Sequence, residues 1–212
     1  IILITPDAER TMNTHLGMCR QYSSKDVNAE ILAKSSFLYF TGYMWDTESQ
    51  KKAILNAIDI ARKNNTKICF DVADPFVVER NREEFLKLMY DNVDIVFTNE
   101  PELSILFNSD DNDYSIVKLM SMVNCGAVKL GKKGSVVFNN SEKFIVEPKI
   151  IGAKDTTGAG DMYAAGFLSS ISKKENYRIA GKKGNSIAEE IIKIDGAQFS
   201  KKKIDSLRSN LF

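Results

Sequence analysis

Asp155-Thr156-Thr157-Gly158-Ala159-Gly160-Asp161 runs without a break into Met162-Tyr163-Ala164-Ala165-Gly166-Phe167-Leu168, a set of small and apolar residues that reads as a buried helix. Two glycines flank an alanine where loop becomes helix, so the backbone there is open to close approach by a ligand. The first N–H groups of a helix have no acceptor within it and carry the positive end of its dipole, which suits a phosphate. An acid beside such a turn repels that ligand. Asp161 is therefore read as the group that faces an attacking hydroxyl and takes its proton. Taken without its surroundings, a Gly-x-Gly turn followed by an acid is an ordinary helix start. The heptapeptide with the small-residue helix behind it is far more specific.

Composition limits the rest. A length of 212 residues fits one domain with a sizeable core. The chain is 43% hydrophobic and 27% charged, with a formal net charge of +1. No global field therefore favours nucleic acid or an anionic membrane. Lys132-Lys133, Lys182-Lys183 and Lys201-Lys202-Lys203 are short clusters that read as solvated surface. The three cysteines, Cys19, Cys69 and Cys125, are scattered and odd in number, which argues against a disulfide framework or zinc site and points to a reducing, cytoplasmic setting. No apolar run approaches a membrane span. The chain opens with Ile1 inside an apolar, strand-like run, as the middle of a protein would.

Upstream of the signature, helical and strand patterns alternate. Residues 1–15 read as a hairpin around Pro6-Asp7-Ala8-Glu9. Val27 to Lys34 suggests a short helix, Ser36 to Gly42 a buried strand, and Glu48 to Asn64 a helix with Ala53, Ile54, Ala57, Ile58 and Ala61 on one face. Strands are expected at Lys67–Val72, Val93–Thr98, Gly126–Leu130, Ser135–Phe138 and Lys143–Glu147. Helices are expected at Arg80–Tyr90, with Phe85, Leu86 and Met89 inward, at Pro101–Phe107, from the acidic loop after Phe107 through Val123, and at Ile179–Ile194. A polar, helical tail closes the chain. This order implies βαβ units, a mainly parallel sheet and helices on both faces. Ligands then sit at the carboxyl ends of strands, where the chemistry-bearing residues cluster.

Three further stretches carry two readings each. Asn99-Glu100-Pro101-Glu102 follows a buried strand. It is either a helix start, with Pro in the first turn and acids at the positive dipole end, or a source of carboxylate for a metal's water shell. Lys129-Leu130-Gly131-Lys132-Lys133-Gly134 links two strands as a glycine-containing hairpin or as a ligand-lining loop. Asn185 is either an ordinary polar helix residue or a contact to a base. His15, the only histidine, is assigned no role.

Together these residues resemble the PfkB/ribokinase-like carbohydrate kinase family, with the signature at 155–161 and likeness from Thr5 to Phe199. The 1–15 segment resembles the strand pair around a "PDAERT"-type turn in its adenosine kinase-like branch. The resemblance implies a ribokinase-like three-layer α/β/α fold with a mainly parallel central sheet. Residues 1–212 would be a single PfkB-type kinase domain lacking its N-terminal strands and most of its lid, with 1–15 a hairpin remnant of the lid. It implies ATP and Mg²⁺ as cofactors, Asn99 near the nucleotide phosphates, and Glu102 in the Mg²⁺ and phosphate network through water. Lys129 stands where the family usually has Thr, which leaves backbone contacts at Gly131 and Gly134. Asn185 falls near the adenine. A monovalent cation, K⁺, would be held by Asp155, the carbonyls of Thr157, Ile191, Ile194 and Gly196, and Ser200. Asp71-Val72-Ala73-Asp74-Pro75, with Arg80 and Arg82 downstream, resembles a strand-end segment that supports the site from behind; Asp74 stands where many members have Asn.

The activity implied is ATP-dependent phosphorylation of an alcohol on a sugar or nucleoside. Asp161 would act as base, and the N–H groups of Gly158, Ala159 and Gly160 would hold the charge on the transferring phosphoryl group. The partner implied is a small sugar or nucleoside, with no nucleic acid or membrane; a homodimer is left open. The alternative is a truncated, non-catalytic nucleotide-binding protein of the same fold. A Rossmann dehydrogenase would need its glycine turn after an early strand with an acid about 20 residues on. P-loop and protein-kinase patterns are absent from the sequence.

Overall fold

The computed structural model describes residues 1–5, 10–149 and 152–211. At the start, β1 (Ile2–Ile4) pairs antiparallel with β2 (Arg10–Met12), Leu3 opposite Thr11. The expected turn between them, residues 6–9, lies outside the described residues.

From residue 28 onward, helix after helix begins on a polar side chain that accepts a hydrogen bond from its own first turn. Asn28 does so for α1 (Ala29–Ala33), Thr47 for α2 (Glu48–Lys63) and Asp74 for α3 (Pro75–Asn92). Asn99 and Asp111 do so for α4 (Glu100–Phe107) and α5 (Asn112–Met120). Between these helices lie β3 (Phe37–Thr41), β4 (Lys67–Asp71), β5 (Ile95–Asn99) and β6 (Cys125–Lys129). β7 (Ser135–Asn139) and β8 (Lys143–Val146) follow, then α6 (Ala159–Ser172), α7 (Tyr177–Ile191) and α8 (Lys201–Leu211).

The six strands β3 to β8 form one sheet in sequence order. The β3–β4, β4–β5 and β5–β6 pairs are parallel. β4 and β5 are buried along almost their whole length, which is why they read as unbroken apolar runs rather than alternating ones.

The chain divides into two compact units. The sheet unit is Leu16–Lys129 with Phe138–Lys143. Its core includes a chain of rings: Phe40 lies 5.2 Å from Phe70, Phe70 5.0 Å edge-on from Phe85, and Phe85 5.9 Å from Trp45. The expected face of α2 is the buried one, Ala53, Ile54, Ala57, Ile58 and Ala61. α3 begins at Pro75, five residues before the expected Arg80. Asp74 Oδ1 accepts from the N–H of Phe76 at 2.8 Å, and Asn81 breaks the helical dihedrals. That kink interrupts the 3.6-residue period and hides the first turns from a periodicity reading. Leu88 takes the buried place expected of Leu86, which is half-buried.

The second unit is Ile1–His15, Leu130–Val137 and Phe144–Phe212. α6 and α7 cross here at a glycine contact. A Cβ on Gly166 would fall 2.6 Å from the carbonyl oxygen of Lys183, and one on Gly184 would fall 3.0 Å from the Tyr163 ring. The small-residue run behind the signature therefore exists to let two helices touch backbone to backbone. Gly166→Ala should destabilise the protein by about 1–3 kcal/mol through overpacking, read as a lower urea midpoint with an unchanged slope. Ala165→Ser, on the exposed side of the same helix, should change it by less than about 0.5 kcal/mol.

Candidate active site

In the sheet unit the carboxyl ends of the parallel strands carry the charge. β5 ends on Asn99, which forms a reciprocal cap with Glu102. Asn99 Oδ1 accepts the Glu102 N–H at 2.9 Å, and Glu102 Oε2 accepts the Asn99 N–H at 2.9 Å. The Asn99 side-chain amide donates to Glu102 Oε1 at 2.6 Å, and the Thr98 hydroxyl to Oε2 at 3.2 Å. The helix-start reading of this motif is thus realised in its geometry. Glu102 is 1% exposed. Burial is the largest influence on its carboxyl and pushes the pKa to about 7, against the opposing charge of Lys129.

β4 ends on Asp71, which is 3% exposed. The Lys129 ammonium, at the end of β6, donates to both of its oxygens at 3.1 and 3.0 Å. Asp71 also accepts the Ala73 N–H at 3.2 Å and the Tyr39 hydroxyl at 3.4 Å. Ala73 has φ of +81°, a left-handed conformation that alanine adopts only under constraint. Asp74, expected behind the site, is the cap of α3. The pairing of Asp71 with Lys129 escaped the sequence reading. Its one visible signal was that two opposite charges close two largely apolar strands of the same sheet.

In the second unit the signature loop is organised by Asp155, 2% exposed. Its Oδ1 accepts the Thr157 N–H at 2.8 Å and the Thr157 hydroxyl at 2.6 Å, and its Oδ2 accepts the Gly196 N–H at 2.8 Å. The N–H groups of Lys154 and Asp155 donate to the carbonyl of Ile192 at 2.7 and 3.3 Å. These bonds tie the signature loop to Ile192, just past α7, and to Gly196; nearby, the Ile194 N–H donates to the Ile191 carbonyl at 3.1 Å. Gly158 caps α6 at φ +79°, and a Cβ there would lie 2.8 Å from that of Ala197. A side chain is excluded by dihedral and by space alike. The Ala159 N–H donates to the carbonyl of Thr156 at 3.2 Å, closing the turn. Asp161 is exposed in the first turn of α6.

The remaining expected residues of this unit stand elsewhere in it. Gly131 and Gly134 both have positive φ in a 3₁₀ turn, closed by the Leu130 N–H on the Gly134 carbonyl at 2.8 Å. Asn185 is buried inside α7, donating to the Val146 carbonyl at 2.9 Å and accepting the Ser135 hydroxyl at 3.3 Å. Tyr163 donates to that same serine at 2.9 Å. Ser200 accepts the Lys203 N–H at 3.3 Å as the start of α8. Asn99, Glu102 and Lys129 belong to the sheet unit, and the signature, Gly131, Gly134 and Asn185 to the other.

A sequence profile described as "pfkB family carbohydrate kinase" matches residues 1–204. The crystal structure of adenosine kinase from Sinorhizobium meliloti is similar at 37% identity and a TM-score of 0.94, over 98% of this chain and 64% of that one. A probable sugar kinase protein from Rhizobium etli is similar at 34% identity and a TM-score of 0.94, over 100% of this chain and 65% of that one. The uncharacterized sugar kinase of Archaeoglobus fulgidus is 24% identical over 202 residues, 93% of this chain and 77% of that protein. The chain thus spans somewhat under two thirds of these solved structures, and 57% and 54% of two other curated relatives. The ribokinase-like α/β fold with a mainly parallel sheet is borne out.

The Glu102 carboxyl gives a pH signature. Its pKa in the folded chain, about 7, lies above the ordinary 4.5, so between these values the folded state holds more protons than the unfolded one. The stability this contributes is fully present below about 4.5 and is lost as pH rises through about 7. Urea midpoints measured across that window should fall with rising pH. Glu102→Gln, which cannot ionise, should flatten this part of the profile.

Proposed function

The chain belongs to the pfkB family of carbohydrate kinases, and from that membership we propose that it carries nucleotide-binding and catalytic residues for ATP-dependent phosphorylation of an alcohol group on a sugar or nucleoside. One observation carries the reading. A buried carboxylate, Asp155, fixes a left-handed glycine at the head of α6 and leaves Asp161 exposed in its first turn. Helix starts with acids are common. A helix start whose cap excludes any side chain, with an exposed acid three residues on, is built for close approach of an anion and for proton removal.

In this reading Asp161 accepts the proton of the attacking hydroxyl. The N–H groups at Gly158, Ala159 and Gly160 face charge developing on the phosphoryl group. The Ala159 N–H already closes the turn onto Thr156, so Gly158 and Gly160 are the stronger donors. Gly131 and Gly134 offer backbone to the nucleotide. Asn185 serves the adenine end by holding α7 against Ser135 and Val146 rather than by a free amide.

The donor chemistry fits the cations assigned to the family. Glu102 is a buried carboxylate with a raised pKa, a group that a nearby cation's water shell would ionise; Mg²⁺, when bound, would neutralise phosphate charge. Among the described residues no three His, Cys, Asp or Glu side chains cluster for a metal. K⁺ would therefore rest on oxygens: Asp155 and carbonyls of Thr157, Ile191, Ile194 and Gly196, with Ser200 the weakest member because its hydroxyl caps α8. A bound K⁺ would stiffen the signature loop. The acceptor is proposed to be a nucleoside, given the adenosine kinase among the most similar structures. Among the described residues no helix is long and apolar enough to cross a membrane, and the free cysteines suit a cytoplasmic setting.

Asp161→Asn keeps size and polarity but cannot take a proton. Turnover should fall roughly 10²–10⁴-fold, with the ATP dissociation constant unchanged or lower. Retained turnover with only a lower melting temperature would sink the catalytic role and favour a non-catalytic nucleotide-binding protein.

Replacing K⁺ by a bulky organic cation at constant ionic strength should slow phosphorylation. Asp155→Asn should weaken that response together with the order of the loop that places Asp161. Equal rates in both salts would remove K⁺ from the mechanism.

A further inference from the structure

Two carboxylates are buried at the ligand end of the sheet unit: Asp71, 3% exposed, and Glu102, 1% exposed. They project from neighbouring parallel strands, β4 and the β5–α4 junction, at the carboxyl ends where α/β sheets take their ligands. Left alone, Asp71 would present a buried negative charge to an arriving polyphosphate, with a second on Glu102 whenever it ionises. Burial weakens screening by water and salt, so the repulsion would be large. One cation is built in against it. The Lys129 side chain is 17% exposed, and its ammonium lies 3.1 and 3.0 Å from the two oxygens of Asp71. Asn99 and Lys129 are register partners on β5 and β6, so Lys129 stands next to the strand end that carries the Asn99–Glu102 cap. Its charge acts on Glu102 in opposition to that of Asp71.

We propose that Lys129 is a positioning residue: a tethered counter-charge that holds Asp71 and offsets Glu102 so that phosphate can approach the strand ends before any metal ion does. This rests on the kinase reading and adds to it a side-chain role for a position that the resemblance leaves with backbone contacts alone. A threonine, the residue expected there, carries no charge and could not fill it. The consequence concerns metal dependence. Nucleotide without Mg²⁺ carries its full negative charge and needs the lysine most. Nucleotide with Mg²⁺ arrives partly neutralised and needs it less.

The test is calorimetric binding of ATP to the 212-residue chain, once in EDTA and once with Mg²⁺. Wild type is compared with Lys129→Met, Asp71→Asn and the double variant, each checked for folding by circular dichroism. Lys129→Met should weaken metal-free ATP by about tenfold or more and Mg²⁺-ATP distinctly less. Adding Asp71→Asn should recover most of the loss. If Lys129→Met does not fold, the comparison passes to Asp71→Asn with and without Lys129→Met. There the lysine should still tighten metal-free ATP by about threefold or more. An equal loss for both forms of ATP, or no loss in a folded variant, overturns the counter-charge role while leaving the kinase reading intact. Binding of neither form by wild type overturns the kinase reading, and this role with it.

Discussion

The carboxylate of Asp155 is the constraint on which the signature loop depends. It is buried, so an unmet charge there would cost several kcal/mol. Three donors among the described residues meet it: the Thr157 N–H, the Thr157 hydroxyl and the Gly196 N–H. Hydrogen bonds to a charged group contribute about 1.5–3 kcal/mol each. Two of the three come from Thr157, two residues on, which folds the chain back on itself before Gly158. The third ties that turn to a loop some forty residues further along the sequence. The left-handed cap, the open backbone at the head of α6 and the placement of Asp161 all follow from this clasp.

The sheet unit solves a related problem by different means. The carboxyl ends of its strands hold two acids away from water, and each is held by polar partners gathered around it. Glu102 is absorbed into the cap of α4, where its oxygens accept from Asn99 and Thr98. Asp71 is held by Lys129, Tyr39 and the N–H of Ala73. The same motif thus serves as helix start and as charge store. A polar pair that satisfies a helix N-terminus in the resting chain is also an acid kept at the strand end. The left-handed Ala73 marks where backbone strain accompanies this arrangement.

Glycine has two separate functions in the second unit. At Gly158 both a positive φ and the nearness of Ala197 forbid a side chain, and the reason is the loop. At Gly166 the backbone is helical, and the reason is the carbonyl of Lys183 on the neighbouring helix. The first shapes the loop at the head of α6; the second sets how closely α6 and α7 lie.

Sequence alone determined the features that local chemistry controls. The period of Ala53, Ile54, Ala57, Ile58 and Ala61 specified the buried face of α2. The apolar runs at 67–72 and 93–98 specified buried parallel strands, because a strand covered on both faces has no polar side to alternate. The signature at 155–161 placed a helix start and an acid. What it could not show were features set by residues distant in the chain. The start of α3 was hidden because a kink at Asn81 breaks the period that a reader follows. Asn185 reads as a free amide until Val146 and Ser135 are brought to it. Lys129 reads as a substitution that loses a hydroxyl until the sheet carries it to Asp71, 58 residues away in sequence. Local propensity acts over a few residues and is written in them. Ion pairs, buried caps and helix contacts are decided only when strands from separate parts of the chain are set in register, so only the tertiary structure could assign these partners.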